Sequence, residues 1–386
     1  MKDYRYLLRR KIKPPRRILR ARRTMPRLRR LAPAAWLAAP LLAGLLLPMA
    51  VVLLRGGQPV PPAVPQQVTA SPARPGPAAE EAPQPKVAVY LSRSRQIETL
   101  PLEDYVSGVV AAEMPADFEL EALKAQAVAA RTFIVRRLRA GDSSGVPVPG
   151  ANVTDTVSHQ AYVSRAALER EWTLGGKSAG LAKIRRAVRE TRGVVMTYQG
   201  QPITASFFAS SGGFTENSED YWNAAVPYLR SVASPWDQEI TPNLAVTYTF
   251  TTSELIQKLG IADRAIPASG HLAASSLARP VSSTSSSLPA EVLSLTAGHR
   301  VKKISIAGTV FTGREVREKL GLRSSQFTWK RQGGKVAITT YGNGHGVGMS
   351  QWGANGMAKE GSTATQILKH YYSGVSFNQV STLLKK

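Results

Sequence analysis

The stretch from Leu100 to Pro115 decides the fold and reads LPLEDYVSGVVAAEMP. Its apolar side chains recur at i, i+3, i+4, i+7 and i+8, which predicts an amphipathic helix over residues 102–112. Pro101 stands at the start of this helix, where its missing N–H costs nothing. Glu113 follows the last predicted helical residue and is succeeded at once by Met-Pro. The stretch therefore places one carboxylate at the end of a helix.

Glu113 has the surroundings of a general acid. Val109, Val110 and Met114 offer little solvation to a carboxylate, and desolvation raises the pKa of a carboxyl group toward neutrality. A protonated Glu113 could then donate its proton to a leaving group. On these residues alone, the alternative that Glu113 merely ends a helix at the surface stays open.

The first 86 residues differ in composition from the rest of the chain. Residues 1–30 carry fourteen Lys or Arg against one acid, and residues 31–54 form an uncharged, apolar run. That run is long enough to span a bilayer, and the basic tail fixes its own end in the cytoplasm. Residues 55–86 contain nine prolines and predict an extended linker. We therefore predict an uncleaved single-pass anchor in the cell membrane with residues 87–386 outside it; a cleavable signal peptide is the competing interpretation.

The charge of the chain does not indicate nucleic-acid binding. The formal net charge is +24, but thirteen of these units come from residues 1–30. From residue 87 onward there are 33 basic and 23 acidic residues, a surplus that suits weak attraction to an anionic polymer. Basic and aromatic residues do not interleave as in a strand-binding groove, so no nucleic-acid partner is predicted. The chain has no cysteine, which excludes disulfides and thiolate metal sites.

The predicted elements of the domain are of mixed type. We predict strands over residues 87–91, 193–198, 203–208, 301–307 and 336–341, and helices over residues 102–112, 119–139, 182–191 and 350–370. Gln199 and Gly200 predict a short hairpin, and Gly361 a break in the last helix. The Ser-, Ala- and Pro-rich segment near 263–298 predicts a flexible insertion. Because the order is no regular βαβ repeat, the expected fold class is α+β.

Arg131 lies on the apolar stripe of the second predicted helix, four residues after Ala127 and three before Ile134. A basic residue on an inward face needs a partner, and both a structural ion pair and contact with substrate are open. A cation bound directly to Glu113 would favour the charged form of that carboxyl. We therefore expect Arg131 to hold Asp104, a backbone carbonyl or the substrate.

Two glycine-containing loops are candidates for ligand contact. The first carries Ser210, Ser211, Gly212 and Gly213. The second reads GNGHGVGMS over residues 342–350, and an amide and a large flat ring follow it. Glycine permits close approach of the backbone, and an amide beside an aromatic ring suits a sugar. The candidate binding residues of the second loop are His345, Gly346, Gly348, Ser350, Gln351 and Trp352.

Two alternatives remain for these loops. The second loop could be a tight structural turn around a buried tryptophan. A serine nucleophile could also be drawn from Ser210 or Ser350 with His345. This chain, however, has no Gly-x-Ser-x-Gly elbow and no obvious third member of a triad.

Together these motifs resemble the stage II sporulation protein D family. The resemblance rests on residues 100–115, 123–132, 155–162, 210–213 and 344–354, in that order. It implies a lytic transglycosylase that cleaves the bond from N-acetylmuramic acid to N-acetylglucosamine in peptide-stripped glycan strands and leaves 1,6-anhydro ends. The setting it implies is septal wall remodelling and engulfment during sporulation. The implied partners are peptidoglycan glycan strands, a cell-wall amidase and membrane proteins of the engulfment complex.

The resemblance also implies roles for single residues. Glu113 corresponds to the catalytic glutamate, and Arg131 to a basic residue of the active-site region. Some members bind zinc through a cysteine shortly before the histidine that matches His159. This chain has Thr154 in that segment and no cysteine, so neither a metal nor another cofactor is predicted. His159 is expected to hold its loop or to touch sugar.

One carboxylate suffices for the implied reaction. A glycoside hydrolase of the usual kind needs two carboxyl groups, whereas in a lytic transglycosylase the C6 hydroxyl of the muramic acid attacks. Glu113 would act first as acid and then as base toward that hydroxyl. Glu103 and Asp104 lie roughly 13 to 15 Å back along the helix, which is far for a direct pair. A related branch of the superfamily enhances amidases, so a non-catalytic glycan-binding scaffold or amidase enhancer is the alternative function.

Overall fold

Helices and strands follow one another irregularly in the computed structural model, which describes residues 84–261 and 288–384. The helices of this part are α1 (Leu102–Glu113), α2 (Leu120–Ala140), α3 (Arg165–Ala167), α4 (Ser178–Glu190), α5 (Ser218–Trp222), α6 (Trp236–Ile240), α7 (Thr252–Leu259), α8 (Gly313–Leu320), α9 (Gln351–Lys359), α10 (Ala364–Tyr371) and α11 (Val380–Leu383). A π-helical turn, Leu168–Thr173, follows α3.

The strands of the same part are β1 (Lys86–Leu91), β2 (Gln96–Pro101), β3 (Val153–Thr154), β4 (Val194–Tyr198), β5 (Gln201–Pro202), β6 (Phe207–Phe208), β7 (Ala245–Thr251), β8 (Ala290–Leu295), β9 (Val301–Ile306), β10 (Thr309–Thr312), β11 (Phe327–Gln332), β12 (Lys335–Tyr341), β13 (Met349–Ser350) and β14 (Ser376–Gln379). The fold is therefore mixed α and β, consistent with the predicted α+β class. The predicted tail and anchor and the linker up to residue 83 lie outside the described residues. Between residues 84 and 261 and between 288 and 384, no helix has the length and apolar character needed to cross a membrane.

Within residues 84–261 and 288–384, three clusters of buried side chains form the core. The first unites β1, α1, α2 and α4, and the second unites the opposite face of α2 with β4, α9 and α10. The third joins α7, α8, β9 and β12. Helix α2 is the element common to the first two clusters: Leu123 and Ile134 face the first, and the small side chains of Ala122, Ala125 and Ala129 face the second. These alanines let α9 and α10 approach α2 closely.

The strands form small sheets rather than one large sheet. β1 lies between antiparallel β2 and parallel β3, β9 between β8 and β10, β12 between β11 and β7, and β4 between β14 and β5. The short parallel pair β6 and β13 matters most for the site, because it aligns Phe207 with Met349 and Phe208 with Ser350. The segment before the first glycine loop is thereby tied to the end of the second.

Most predicted elements are present, and the differences have local causes. Gln199 and Gly200 form the predicted hairpin turn with φ of 50° and 75°, as a two-residue turn between β4 and β5 requires. The strand predicted over residues 203–208 is reduced to Phe207–Phe208. The last predicted helix is two helices, α9 and α10, separated near Gly361, whose φ is +90°. Of the predicted insertion, residues 262–287 lie outside the described residues, while Ala290–Leu295 pairs with β9 as strand β8.

Candidate functional site

Glu113 is the last residue of α1 and is half-buried. The helix ends there because Met114 precedes a proline and takes an extended conformation, with φ −124° and ψ 142°. The backbone N–H of Ala161 donates to Oε1 of Glu113 at 3.0 Å, and the side-chain amide of Gln351 donates to Oε2 at 3.4 Å. Within the described part of the chain, both hydrogen-bond partners of this carboxyl are therefore neutral.

The pKa of Glu113 is raised above the ordinary value for glutamate. Burial is the largest cause of this rise, and the hydrogen bonds from Ala161 and Gln351 oppose it by favouring the charged form. The raised pKa keeps a proton on Glu113 at higher pH than on an exposed glutamate. This is the protonation state that a general acid needs.

The loop that carries Ala161 lies directly on α1. The ring of Tyr162 stacks on the buried ring of Tyr105 with centroids 5.5 Å apart, and the Tyr105 hydroxyl donates to Gln160 at 3.0 Å. Gly108 makes this contact possible, because a Cβ at that position would lie 2.2 Å from the ring of Tyr162. The glycine of the SGVV segment thus allows the loop to reach Glu113.

His159 holds the same loop. Its Nδ1 accepts a hydrogen bond from the backbone N–H of Thr154 at 3.3 Å and lies 2.8 Å from the Thr154 hydroxyl. Its Nε2 lies 3.0 Å from the carbonyl oxygen of Ser144. An accepting Nδ1 places the ring proton on Nε2, which donates to that carbonyl. His159 therefore links the loop that carries Thr154 to the loop that carries Ser144. Its contact with Thr154 includes the threonine hydroxyl.

The structure places Arg131 in a buried ion pair and away from the carboxyl of Glu113. Its side chain is fully buried, its Nε donates to Oε1 of Glu103 at 3.0 Å, and its Nη1 donates to the carbonyl of Val194 at 3.2 Å. Of the partners expected from the sequence, a backbone carbonyl is present. Asp104 instead pairs with Arg165 at 2.9 Å on the surface. The Arg131 guanidinium thus connects α1, α2 and β4.

Gln351 and Trp352 begin helix α9, which Ser350 caps by accepting from the N–H of Gly353 at 3.2 Å. This start of the helix brings the Gln351 amide to Glu113. The ring of Trp352 packs edge-on against Phe118 with centroids 4.7 Å apart, beside the first core cluster. Of the two residues, Gln351 therefore contacts Glu113, and Trp352 supports the core.

Both glycine loops bind one buried carboxylate, Asp237, which was not among the residues predicted from the sequence. Ser211 donates to it through its N–H at 3.1 Å and through its hydroxyl at 2.8 Å. The hydroxyls of Ser234 and Ser350 each donate to the Asp237 carboxylate at 2.6 Å. The hydroxyl oxygens of Ser234 and Tyr371 are 2.7 Å apart. Burial raises the pKa of Asp237, and these hydrogen bonds oppose the rise. Asp237 thereby joins Ser211 of the first loop to Ser350 of the second loop.

The rest of the first loop is held by its backbone. Ser210 exchanges two backbone hydrogen bonds with Asn343, of 3.1 and 2.8 Å. The carbonyl of Gly212 accepts from the side chain of Gln238 at 3.0 Å. Gly213 has a φ of +113°, a conformation that only glycine adopts readily. Ser210 and Ser211 are both buried, so these four residues order the two loops rather than line an open surface.

His345 lies in an aromatic cluster. Its ring centroid is 5.7 Å from that of Phe208, 5.4 Å from that of Tyr221 and 5.5 Å from that of Trp222. Burial and the positive charge of Arg300 lower the pKa of His345 to about 3, so the ring is neutral. A triad base must take up a proton near neutral pH, so this low pKa argues against the serine-nucleophile alternative.

Gly346 and Gly348 allow backbone segments to pack closely around this cluster. Their φ values are +92° and +82°, and a Cβ at Gly348 would lie 2.0 Å from the carbonyl oxygen of Ser206.

The predicted residues of the two glycine loops and of the start of α9 lie in three separate places. Gln351 meets Glu113, the serines of both loops meet at Asp237, and His345 lines a different cleft.

We predict that Asp237→Asn lowers the free energy of unfolding by about 2 to 4 kcal/mol, because the amide nitrogen cannot accept hydrogen bonds and each buried donor left without an acceptor costs about 1–3 kcal/mol. Urea unfolding followed by tryptophan fluorescence measures this. Asp117→Asn, at an exposed aspartate, is the matched control. Equal midpoints for the two variants would contradict the central role of Asp237.

The comparisons with known proteins agree with the motifs. The family model described as SpoIID, Stage II sporulation protein, matches residues 90–198, which contain Glu113, Arg131 and His159. The chain is 46% identical over 300 residues to stage II sporulation protein D of Bacillus amyloliquefaciens, covering 78% of this chain and 80% of that protein. It is 44% identical over 319 residues to stage II sporulation protein D of Bacillus subtilis strain 168, covering 83% and 86%.

A further relative carries a different name. The chain is 32% identical over 310 residues to the amidase enhancer of Bacillus subtilis strain 168, which covers 70% of this chain and 40% of that protein. The identity to the two stage II sporulation proteins is higher and extends over most of both lengths. The resemblance seen in the sequence is thereby confirmed, and the chain belongs to the stage II sporulation protein D family.

Proposed function

We propose that this chain is a peptidoglycan lytic transglycosylase with Glu113 as its single general acid and base. The supporting observation is the state of Glu113: a half-buried carboxyl with a raised pKa, hydrogen-bonded to one backbone N–H and one side-chain amide. In the reaction, Glu113 gives its proton to the glycosidic oxygen as the bond from N-acetylmuramic acid to N-acetylglucosamine breaks. It then takes the proton of the muramic C6 hydroxyl as that oxygen bonds to C1, which leaves a 1,6-anhydro end.

The two other carboxylates of α1, Glu103 and Asp104, are consistent with a mechanism that uses one acid. A hydrolase would need a second carboxyl within about 5–10 Å of the first. Glu103 and Asp104 lie at the opposite end of α1, and each pairs with an arginine. Neither is therefore placed or free to activate water beside Glu113, whereas the C6 hydroxyl arrives with the substrate.

The family membership supports a proposed setting. We infer that the chain acts on peptide-stripped glycan strands after a cell-wall amidase, beside membrane proteins that carry out engulfment during sporulation. Residues 31–54 would anchor it in the cell membrane as a single pass with its N-terminus in the cytoplasm, and the Pro-rich linker would carry the domain into the wall. Weak attraction by the basic surplus of residues 87–386 suits an anionic wall polymer.

A non-catalytic role is the second candidate, because the chain is also similar to a protein named amidase enhancer. In that role the chain would bind glycan and stimulate an amidase. The loops held by Asp237 would still be needed, but the proton on Glu113 would not. Glu113 therefore discriminates between the two candidates.

The test incubates the full-length chain with peptide-stripped glycan strands and identifies the product ends by mass spectrometry. We expect 1,6-anhydromuramyl ends from the native chain and none from Glu113→Gln, while Glu291→Gln, at an exposed glutamate, behaves as the native chain. Reducing ends in place of anhydro ends would indicate a hydrolase. No cleavage, with amidase stimulation equal in native chain and variant, would favour the scaffold.

The pH dependence of cleavage gives a further prediction. The acid must be protonated, so kcat/KM should fall as pH rises through the pKa of Glu113, and this fall should occur above the ordinary range for a glutamate. Gln351→Leu removes a donor that lowers this pKa, so the alkaline limb should move to higher pH. The measurement is initial rate in a series of buffers. An unmoved limb in this variant would show that Gln351 does not tune Glu113.

A further inference from the structure

Helix α4 carries three arginines at its C-terminal end, which we call the arginine stripe. Arg185 and Arg189 lie one turn apart on the same side of the helix, and Arg192 follows just beyond its last residue. All three are exposed. Together with the first two turns of α1 they line a cleft of about 160 Å³. Among the described residues, the hydrogen-bond partners of Glu113 do not include them, so the stripe has no part in the proposed reaction.

The carboxylates beside the stripe are engaged by other cations. Glu103 binds the buried guanidinium of Arg131, and Asp104 pairs with Arg165 at 2.9 Å. Across residues 84–261 and 288–384, the first two arginines of the stripe form no ion pair. The stripe therefore leaves a positive surplus on the surface, and such a surplus attracts an anionic partner.

The chain enters the described domain beside the same stripe. The carbonyl of Pro85 accepts from the N–H of Leu102 at 2.9 Å, and the side-chain amide oxygen of Gln84 lies 3.5 Å from the backbone nitrogen of Glu103. Both residues thus lie against the first turn of α1, which lines the cleft with the arginines. The predicted anchor, residues 31–54, and the linker that follows it join the domain at this point of the sequence.

Glu113 lies at the opposite end of the same two helices. Helix α1 rises about 15 Å from position 103 to position 113, at 1.5 Å per residue. Helix α4 runs antiparallel to α1. A Cβ on Gly180, in the first turn of α4, would lie 2.9 Å from that of Ala116, whereas Arg189, in its last turn, lies beside the first turns of α1. A surface that binds the arginine stripe would therefore leave Glu113 on the far side of the domain.

We propose that the arginine stripe binds the anionic phospholipid headgroups of the membrane in which the chain is anchored, and so directs Glu113 toward the wall. This inference rests on the anchor of the proposed function. Guanidinium groups match phosphate oxygens with paired hydrogen bonds. Because a tethered domain meets its own membrane at high effective concentration, a few such contacts suffice. The docked domain acts on the wall layer next to the membrane, and the undocked domain reaches as far as the linker allows.

The orientation of the full-length chain in lipid nanodiscs tests this inference. The chain has no cysteine, so an introduced cysteine takes a fluorescent probe at one position only. Ser381→Cys marks the stripe end, because the neighbouring Val380 N–H donates to the carbonyl of Gly193 at 2.8 Å. Ser178→Cys, at the start of α4, marks the Glu113 end. Both serines are exposed. Energy transfer from each probe to labelled headgroups is measured in phosphatidylcholine, with and without phosphatidylglycerol.

With phosphatidylglycerol present, we expect more energy transfer from the Ser381 probe than from the Ser178 probe, and the difference should shrink at high salt. Arg185→Gln combined with Arg189→Gln should lower the ratio of docked to undocked domain by roughly 30-fold, since each arginine at an anionic surface contributes roughly fivefold. Lys330→Gln combined with Arg331→Gln removes two exposed cations of β11 and should leave the ratio unchanged. Both double variants should cleave free glycan strands as the native chain does.

The outcomes separate this inference from the proposed reaction. Equal energy transfer from the two probes in every lipid would overturn the docking, and cleavage of free strands would then still support the reaction. Docking without any cleavage would overturn the reaction and leave the docking in place.

Two other results would also overturn the docking. If the stripe variant weakens binding to soluble poly(glycerol phosphate) but leaves the energy transfer unchanged, the stripe binds an anionic polymer and not the membrane. A chain that does not insert into phosphatidylcholine nanodiscs would contradict the anchor, and the docking with it.

Discussion

Replacing Glu113 with glutamine is expected to slow glycan cleavage by about 10³-fold, in the middle of the range that general acid–base catalysis contributes. The amide has nearly the shape of the acid and keeps an oxygen that can accept from Ala161. It cannot release a proton to the glycosidic oxygen. Release of anhydro ends under single-turnover conditions measures the change, because product release then does not mask the chemical step.

The same substitution should not weaken the fold. Since burial raises the pKa of Glu113, the folded chain binds this proton more tightly than the unfolded chain does, and the carboxyl opposes folding once the pH exceeds its unfolded pKa. Glutamine carries no charge to desolvate. The urea midpoint of Glu113→Gln at neutral pH should therefore equal or exceed that of the native chain, and any gain should vanish in acid. Full activity in a stably folded variant would contradict the assignment.

Arg131→Met is expected to lower the free energy of unfolding by about 3–5 kcal/mol, the usual effect of removing one partner of a buried ion pair. The methionine fills part of the volume but leaves Glu103 without its guanidinium. The change is measured by urea unfolding of the full-length chain, followed by circular dichroism. Its size follows from the complete burial of the arginine side chain.

A double variant distinguishes a structural role of Arg131 from contact with substrate. Arg131→Met combined with Glu103→Leu removes both charges, and an apolar replacement of a buried pair is often close to neutral. We therefore expect the double variant to recover most of the stability lost in the single one. If the single variant keeps the native midpoint and raises KM instead, Arg131 acts on substrate.

The sequence predicted α1 and its end well because the causes are local. The apolar periodicity defines the helix, and the proline after Met114 forces an extended residue that stops it at Glu113. The break between α9 and α10 is local in the same way, since Gly361 adopts a positive φ there. Strands of two residues, such as Phe207–Phe208, have no periodicity to detect.

The parts of the site that depend on distant contacts could not be predicted. Gln351 reaches Glu113 across 238 positions, and Asp237 binds Ser350 across 113. Asp237 belongs to no motif, and only the fold places it beside three serines. For Arg131, the sequence indicated that an inward cation needs a partner, but the acidic residue it predicted was Asp104, whereas the structure pairs Arg131 with Glu103. Glu103 and Asp104 point about 100° apart around α1, so the packing of the helices decides.

Gly108 affects the pKa of Glu113 through the loop that carries Ala161 and Tyr162. Because the glycine leaves no room for even one methyl group beneath Tyr162, the position of that loop is fixed by the helix that ends at Glu113. A side chain at position 108 would lift the loop and with it the Ala161 N–H. The loss of that donor would raise the pKa of Glu113 further. In this chain the absence of one carbon atom thus helps to lower the pKa of a group more than a helical turn away.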